Sequence, residues 1–176
     1  MSGKLVGSLI VIFALIAGAA LYYLQIYHFY EPVTATGDDD VRLTSLVSEA
    51  PETILYRDFE AIDATSSPIR YRSCFTTPMS LPMLTETYVA YQRAEPLEAP
   101  GWFDCFDADA IGAALQDGTA LAFLGEGNIT YGIDRIVAIT EDGRGYSWHQ
   151  INPCGEKLFD GEPVPDGCPP PPERTQ

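Results

Sequence analysis

The sequence predicts an α+β domain, mainly antiparallel sheet with one or two short helices, carried by a single N-terminal transmembrane helix. Three observations point there. Leu5 to Leu24, LVGSLIVIFALIAGAALYYL, is twenty residues without a charge; as a helix it spans about 30 Å, the hydrocarbon thickness of a bilayer. Beyond residue 50, short β-rich segments alternate with turn signals and lead into a strong hairpin. All four cysteines, Cys74, Cys105, Cys154 and Cys168, follow the apolar run, the pattern of a disulfide-bonded domain outside the cytoplasm.

The apolar run comes first. A cleaved signal peptide is the competing reading, because Lys4 forms a minimal basic region and Ala17-Gly18-Ala19 has the small-x-small form of a cleavage site. Two features favour retention. The run exceeds the usual signal-peptide core, and it continues into Tyr22, Tyr23, Ile26, Tyr27, Phe29 and Tyr30, aromatic residues that suit a membrane–water interface. Lys4 precedes the span, and the next basic residue is Arg42. The positive-inside rule therefore keeps the N-terminus cytoplasmic and exports residues 31–176. Gly3 and Gly7, with Ala14 and Gly18 behind them, have helix-pairing spacing but are also ordinary membrane-helix residues. His28 reads as a wet interfacial side chain. The chain thus divides into a tip, anchor and interfacial segment (1–30), an acidic linker (31–40), an exported domain (41–168) and a Pro-rich disordered tail (169–176).

Charge narrows the partners. The 176 residues carry a net charge of −15, and all 25 acidic residues lie beyond the span against 9 of the 10 basic ones, leaving that part at −16. This argues against nucleic acid as a partner, since its binding depends on Lys and Arg neutralising phosphates. Docking onto anionic lipid is disfavoured too. A self-repelling, soluble surface accounts for the acidity without any partner.

The elements follow in order. The Asp38-Asp39-Asp40 run reads as a solvated flank; it lacks the alternate acids of an EF-hand loop. Val41 to Glu49 is weakly amphipathic and carries no assignment. Thr53 to Ile62 and Ile69 to Thr76 read as two antiparallel strands around a Ser66-Ser67-Pro68 turn. On the second, Arg70 and Arg72 share a face, which suggests an anion site or, more ordinarily, pairing with local acids. Thr85 to Arg93 is assigned to a strand on propensity, although Leu84, Tyr88 and Tyr91 also fall at helical spacing. The aromatics around Cys105 suit core packing on a disulfide.

Asp107 begins a helix: it is a good N-cap, Asp109 lies in the first turn, Ile111, Ala114 and Leu115 form an apolar stripe, and Gly118 suits the C-terminal cap. Those caps already occupy two of the acids in the calcium-like Asp104, Asp107, Asp109 set. Thr119 to Gly125 reads as a buried strand and Gly125-Glu126-Gly127-Asn128 as a turn, so its G-x-G is no nucleotide fingerprint. Ile133 to Thr140, the Glu141–Gly145 turn and Tyr146 to Ile151 form a hairpin. Asn152 to Gln176 reads as a covering arm with a frayed end.

Chemistry-bearing motifs are few. Sequential pairing closes the two shortest loops, so Cys74–Cys105 and Cys154–Cys168 are the expected disulfides. No C-x-x-C and no paired zinc-ligand spacing occur, so neither a redox dithiol, a metal site nor a cofactor is expected. His149 has no G-x-S-x-G nucleophile and no free thiol to activate, and a pH-sensitive structural role suits it better. No catalytic residue is assigned. Trp102, Trp148 and His149 form a candidate pocket.

The runs YRSCFTTPMSLPMLTETYVAY, PGWFDCFDADAIG and NITYGIDRIVAITEDGRGYSWHQIN, with the terminal CGE and GCPPPP, resemble an uncharacterised family of small, N-terminally anchored proteins of Rhodobacter-group alphaproteobacteria. The resemblance implies an inner-membrane anchor and a periplasmic domain, with no established activity. Such proteins are sometimes labelled histidine kinases, but this chain has no ATP-lid glycines and no cytoplasmic catalytic domain. The expected function is non-enzymatic: an accessory or assembly partner of a membrane or periplasmic protein. A ligand-binding or sensing module is the first alternative, and an enzyme with a site near His149 the second.

Overall fold

The computed structural model describes residues 3–172. Of the expected Pro-rich disordered tail, 169–176, residues 173–176 lie outside the described residues. Helix α1 (Gly3–Tyr23) widens into one π-helical turn over Leu24–His28. It is the one described helix long and apolar enough to cross a membrane, and none of it is buried in the protein. Beyond it stands an α+β domain of mostly antiparallel sheet.

The main sheet has six strands: β1 (Glu31–Pro32), β4 (Arg57–Asp63), β5 (Arg72–Thr76), β8 (Arg144–Ile151), β7 (Ile133–Thr140) and β6 (Ala120–Thr130), in that spatial order. Every pairing is antiparallel. A separate two-stranded ribbon, β2 (Arg42–Thr44) with β3 (Pro51–Thr53), and helix α2 (Leu81–Thr87) cover one face. Helix α3 (Ala108–Asp117) and the loop carrying Phe103 and Phe106 cover the other. The result is three layers, with a core on each side of the sheet.

Strand β7 shows how sequence produces that arrangement. A strand covered on both faces reads as a continuous apolar run, and Ile136, Val137, Ala138 and Ile139 are all at most 1 % exposed. Ile136 and Ala138 pack with Trp148 under α3, whereas Val137 and Ile139 pack with Phe75 and Leu84 on the opposite side. Cys74 and Phe75, and Ala122 and Phe123, divide between the same two cores.

The α3 caps are as the sequence predicts: the Asp107 carboxylate accepts from Ala110 N, and Gly118 is left-handed with φ 82°. Helix α4 (Pro153–Phe159) opens in the same way, with the Asn152 side chain accepting from Gly155 N and Pro153 in the first turn.

Three expectations are corrected. The strand assigned to Thr85–Arg93 begins instead as α2, because Pro82 starts the turn and Leu84, at helical spacing, reaches the core with 0 % exposure. Only the bridges at Tyr88 and Ala90 are strand-like. The Gly125–Asn128 turn is the continuation of β6, which bends through irregular register after Leu124 and turns at Tyr131-Gly132. A local bulge explains why turn-forming residues sit inside a strand. The arm after Asn152 begins with α4 before the Pro-rich stretch.

Residues 31–40, read from sequence as a linker, are partly built into the fold. Glu31 and Pro32 pair with Asp63 and Ile62, and Val33 N donates to Ala61 O at 2.8 Å. Further on, the Asp40 carboxylate accepts from Thr36 N, Gly37 N and the Tyr56 hydroxyl. Burial opposes its ionisation, but these hydrogen bonds prevail and hold it at about 2.

Candidate functional site at the helix–domain junction

The last carbonyls of any helix lack intrahelical partners. Here the domain supplies them. Trp102 Nε1 donates to Ile26 O at 2.7 Å, and Arg70 Nη1 donates to Gln25 O at 3.4 Å. Tyr30 completes the contact: the Arg70 guanidinium lies over its ring at 5.4 Å, and Trp102 meets it edge-on at 6.2 Å. With β1 paired to β4 immediately afterwards, the chain passes from helix to sheet with no free spacer.

Arg72, two residues along from Arg70, turns inward. It is 3 % exposed, and its guanidinium donates to four carbonyls: Leu97, Ile69, Tyr71 and Glu98. Burial lowers its pKa to about 10, while Tyr30, Asp63 and Glu98 act in the opposite sense. Among the described residues neither arginine has an acid as its hydrogen-bond partner, so the expected pairing with local acids is corrected. Backbone carbonyls take that place, because the chain from Leu97 to Glu98 folds back over the sheet end and offers oxygen ligands to a planar fork.

The residues of the expected pocket occupy three different settings. Trp148 is fully buried under α3 and meets Phe106 edge-on. His149, the next residue, points to the other face, 7 % exposed and stacked on Tyr71 at 4.8 Å. Trp102 lies at the helix end, 36 % exposed. None of the three lines the 710 Å³ groove between α3 and the Tyr91–Pro96 segment, or the 410 Å³ cleft beside Phe159.

His149 is locked by geometry. Its Nδ1 lies 2.7 Å from Pro68 O and donates to it, and its Nε2 accepts from Arg135 Nε at 3.1 Å. Both nitrogens are therefore committed in one neutral tautomer. Burial first, and the Arg135 cation second, lower its pKa to about 4. Arg135 itself lies over the Tyr71 ring at 4.1 Å, closing the stack.

A second polar knot surrounds Asp134, itself 8 % exposed. Its carboxylate accepts from Asn128 N, Asn152 Nδ2 and the Tyr91 hydroxyl. Burial and that carboxylate raise Tyr91 to about 12. The knot joins the β6 bend, the β7 start and the α4 cap, so it braces structure. An Asn-Pro pair followed by Glu156 was the sequence signal for that cap.

Cys74 is bonded to Cys105, and Cys154 to Cys168, with no free cysteine. The first bond ties β5 to the loop that carries Trp102. The second ties α4 to the Pro-rich arm, which the Tyr131 hydroxyl also holds by donating to Pro169 O at 2.9 Å. Disulfides suggest an oxidising compartment, as the apolar helix suggests membrane anchoring.

Residues 41–169 match the model of a family of unknown function, DUF6446. That is most of the chain, and the protein belongs to this family. The match begins at Val41, so it covers the domain and leaves out α1 and the junction strand β1. No curated protein and no solved structure matches the chain.

Proposed function

We propose that this chain is a single-pass protein of a bacterial inner membrane, N-terminus cytoplasmic, whose acidic domain stands in the periplasm as a non-enzymatic accessory or assembly partner of a membrane or periplasmic complex. One observation carries the reading: the domain is clamped to the end of its own membrane helix by Trp102, Arg70 and strand β1. A spacer only needs to keep a domain near the membrane. A clamp fixes which face it turns toward neighbours in the membrane plane, and that serves assembly. The inward commitment of His149 supports the same reading, since a general base must reach the proton it removes. Lys4, the lone basic residue ahead of the span, supports the orientation.

The test is purification of the tagged full chain in mild detergent, with sizing and mass spectrometry. A stoichiometric membrane or periplasmic partner, lost when Leu5–Leu24 is replaced by a generic anchor, is the expected outcome. Recovery of the chain alone, with a small molecule retained, would instead favour a binding module using the 710 Å³ groove.

A further inference from the structure

We propose that the Gly101–Phe103 corner of the domain is a lipid-contacting surface, with Trp102 seated in the headgroup layer of the same bilayer that α1 crosses. The proposal rests on α1 spanning a membrane and is independent of any accessory role.

Leu5–Leu24 fills the hydrocarbon core, and the headgroup layer adds about 5–8 Å on each side. Ile26 lies two residues past Leu24, about 3 Å further along a helix axis. Trp102 is bonded through its indole N–H to the carbonyl of Ile26. Its ring is therefore held at headgroup depth by a direct hydrogen bond to the helix that sets that depth. Trp102 remains 36 % exposed, although Tyr30 and Phe103 pack edge-on against it. Tyr27 and Phe29, on the helix side, are 48 % and 44 % exposed. Together they extend the aromatic girdle of the helix onto the domain.

Chemistry selects the lipid. An indole, with an apolar body and one polar N–H, favours the interfacial layer. The acidic domain, at −16 beyond the span, repels anionic headgroups. The surface is therefore suited to zwitterionic lipid, held by ring burial with the Arg70 cation beside it. Cys105, bonded to Cys74, fixes the corner to β5 from the other side.

Tryptophan fluorescence tests this in the full chain. Only two tryptophans are present, and Trp148 is fully buried, so lipid-borne quenchers report on Trp102. The protein is reconstituted in phosphatidylcholine vesicles carrying a nitroxide either on the headgroup or near the acyl-chain end. Quenching about twofold stronger from the headgroup label is expected, and W102F should lose that quenched component while keeping the Trp148 emission. Wild-type protein carries the comparison alone if W102F is unstable. Protein that floats with the vesicles but is quenched by aqueous iodide and by neither lipid label would overturn the proposal. Protein that fails to float would overturn it through α1, a failure distinct from the first.

Discussion

His149 gives the residue scale its sharpest consequence. Its ordinary pKa of about 6.5 applies in the unfolded chain, and its folded value is about 4. Between these values the unfolded state binds the extra proton, so stability is complete above pH 6.5 and is lost as pH falls toward 4, by about 3 kcal/mol in all. Denaturant titrations of wild type and H149Q across that window should show stability falling more steeply toward pH 4 in the wild type than in the variant. A second residue-scale prediction concerns Gly145. A Cβ there would overlap the Phe75 ring, so G145A should cost about 1–3 kcal/mol, read as a lower denaturation midpoint and partly relieved by F75L. Legibility at this scale was uneven. The four cysteines and the Asp107 cap are local signals, visible in a few residues. Trp102 was visible as an aromatic but not as a ligand of the helix end, because Ile26 lies 76 residues away. Arg72 was misassigned for the same reason: its carbonyl partners at Leu97 and Glu98 come from a distant loop.

Among the elements, the β7–β8 hairpin and α3 were the most readable, since periodicity, cap and turn residues agree there. Helix α2 was not, because seven residues starting at a Leu-Pro pair carry too little periodicity to outvote strand propensity. Strand β1 could not be read at all: two residues pair at the sheet edge through backbone alone. The fourfold Arg72 contact joins β5 to the loop before α3, and its loss strands buried carbonyls. R72M should therefore lower stability by about 2–4 kcal/mol in chemical unfolding, and R72K should restore little, since an ammonium cannot reproduce the fork. The disulfides divide by element. Removing Cys74–Cys105 with paired serines should cost about 3–4 kcal/mol for a separation of 31 residues. Removing Cys154–Cys168 should free the Pro-rich arm to proteolysis while the sheet keeps its cooperative unfolding.

The whole molecule is organised by where the helix meets the sheet. A helix long and apolar enough to cross a membrane, a run of aromatics, a clamped helix end and an edge strand follow one another within residues 5–33. The family match, starting at Val41, describes the domain alone; the junction is what ties that domain to the apolar helix. Acidity and two disulfides then suit it to an exposed, oxidising setting. The central claim is that no flexible spacer separates helix from domain. Amide hydrogen exchange at Val33, in the full chain reconstituted in phosphatidylcholine nanodiscs, tests it most directly, because this amide is bonded to Ala61 O only if β1 is docked. Exchange about a hundredfold slower than in the exposed Thr65-Ser66 turn, matching the strand core, is expected. Exchange at Val33 as fast as in that turn would contradict it and return residues 31–40 to the status of a loose tether.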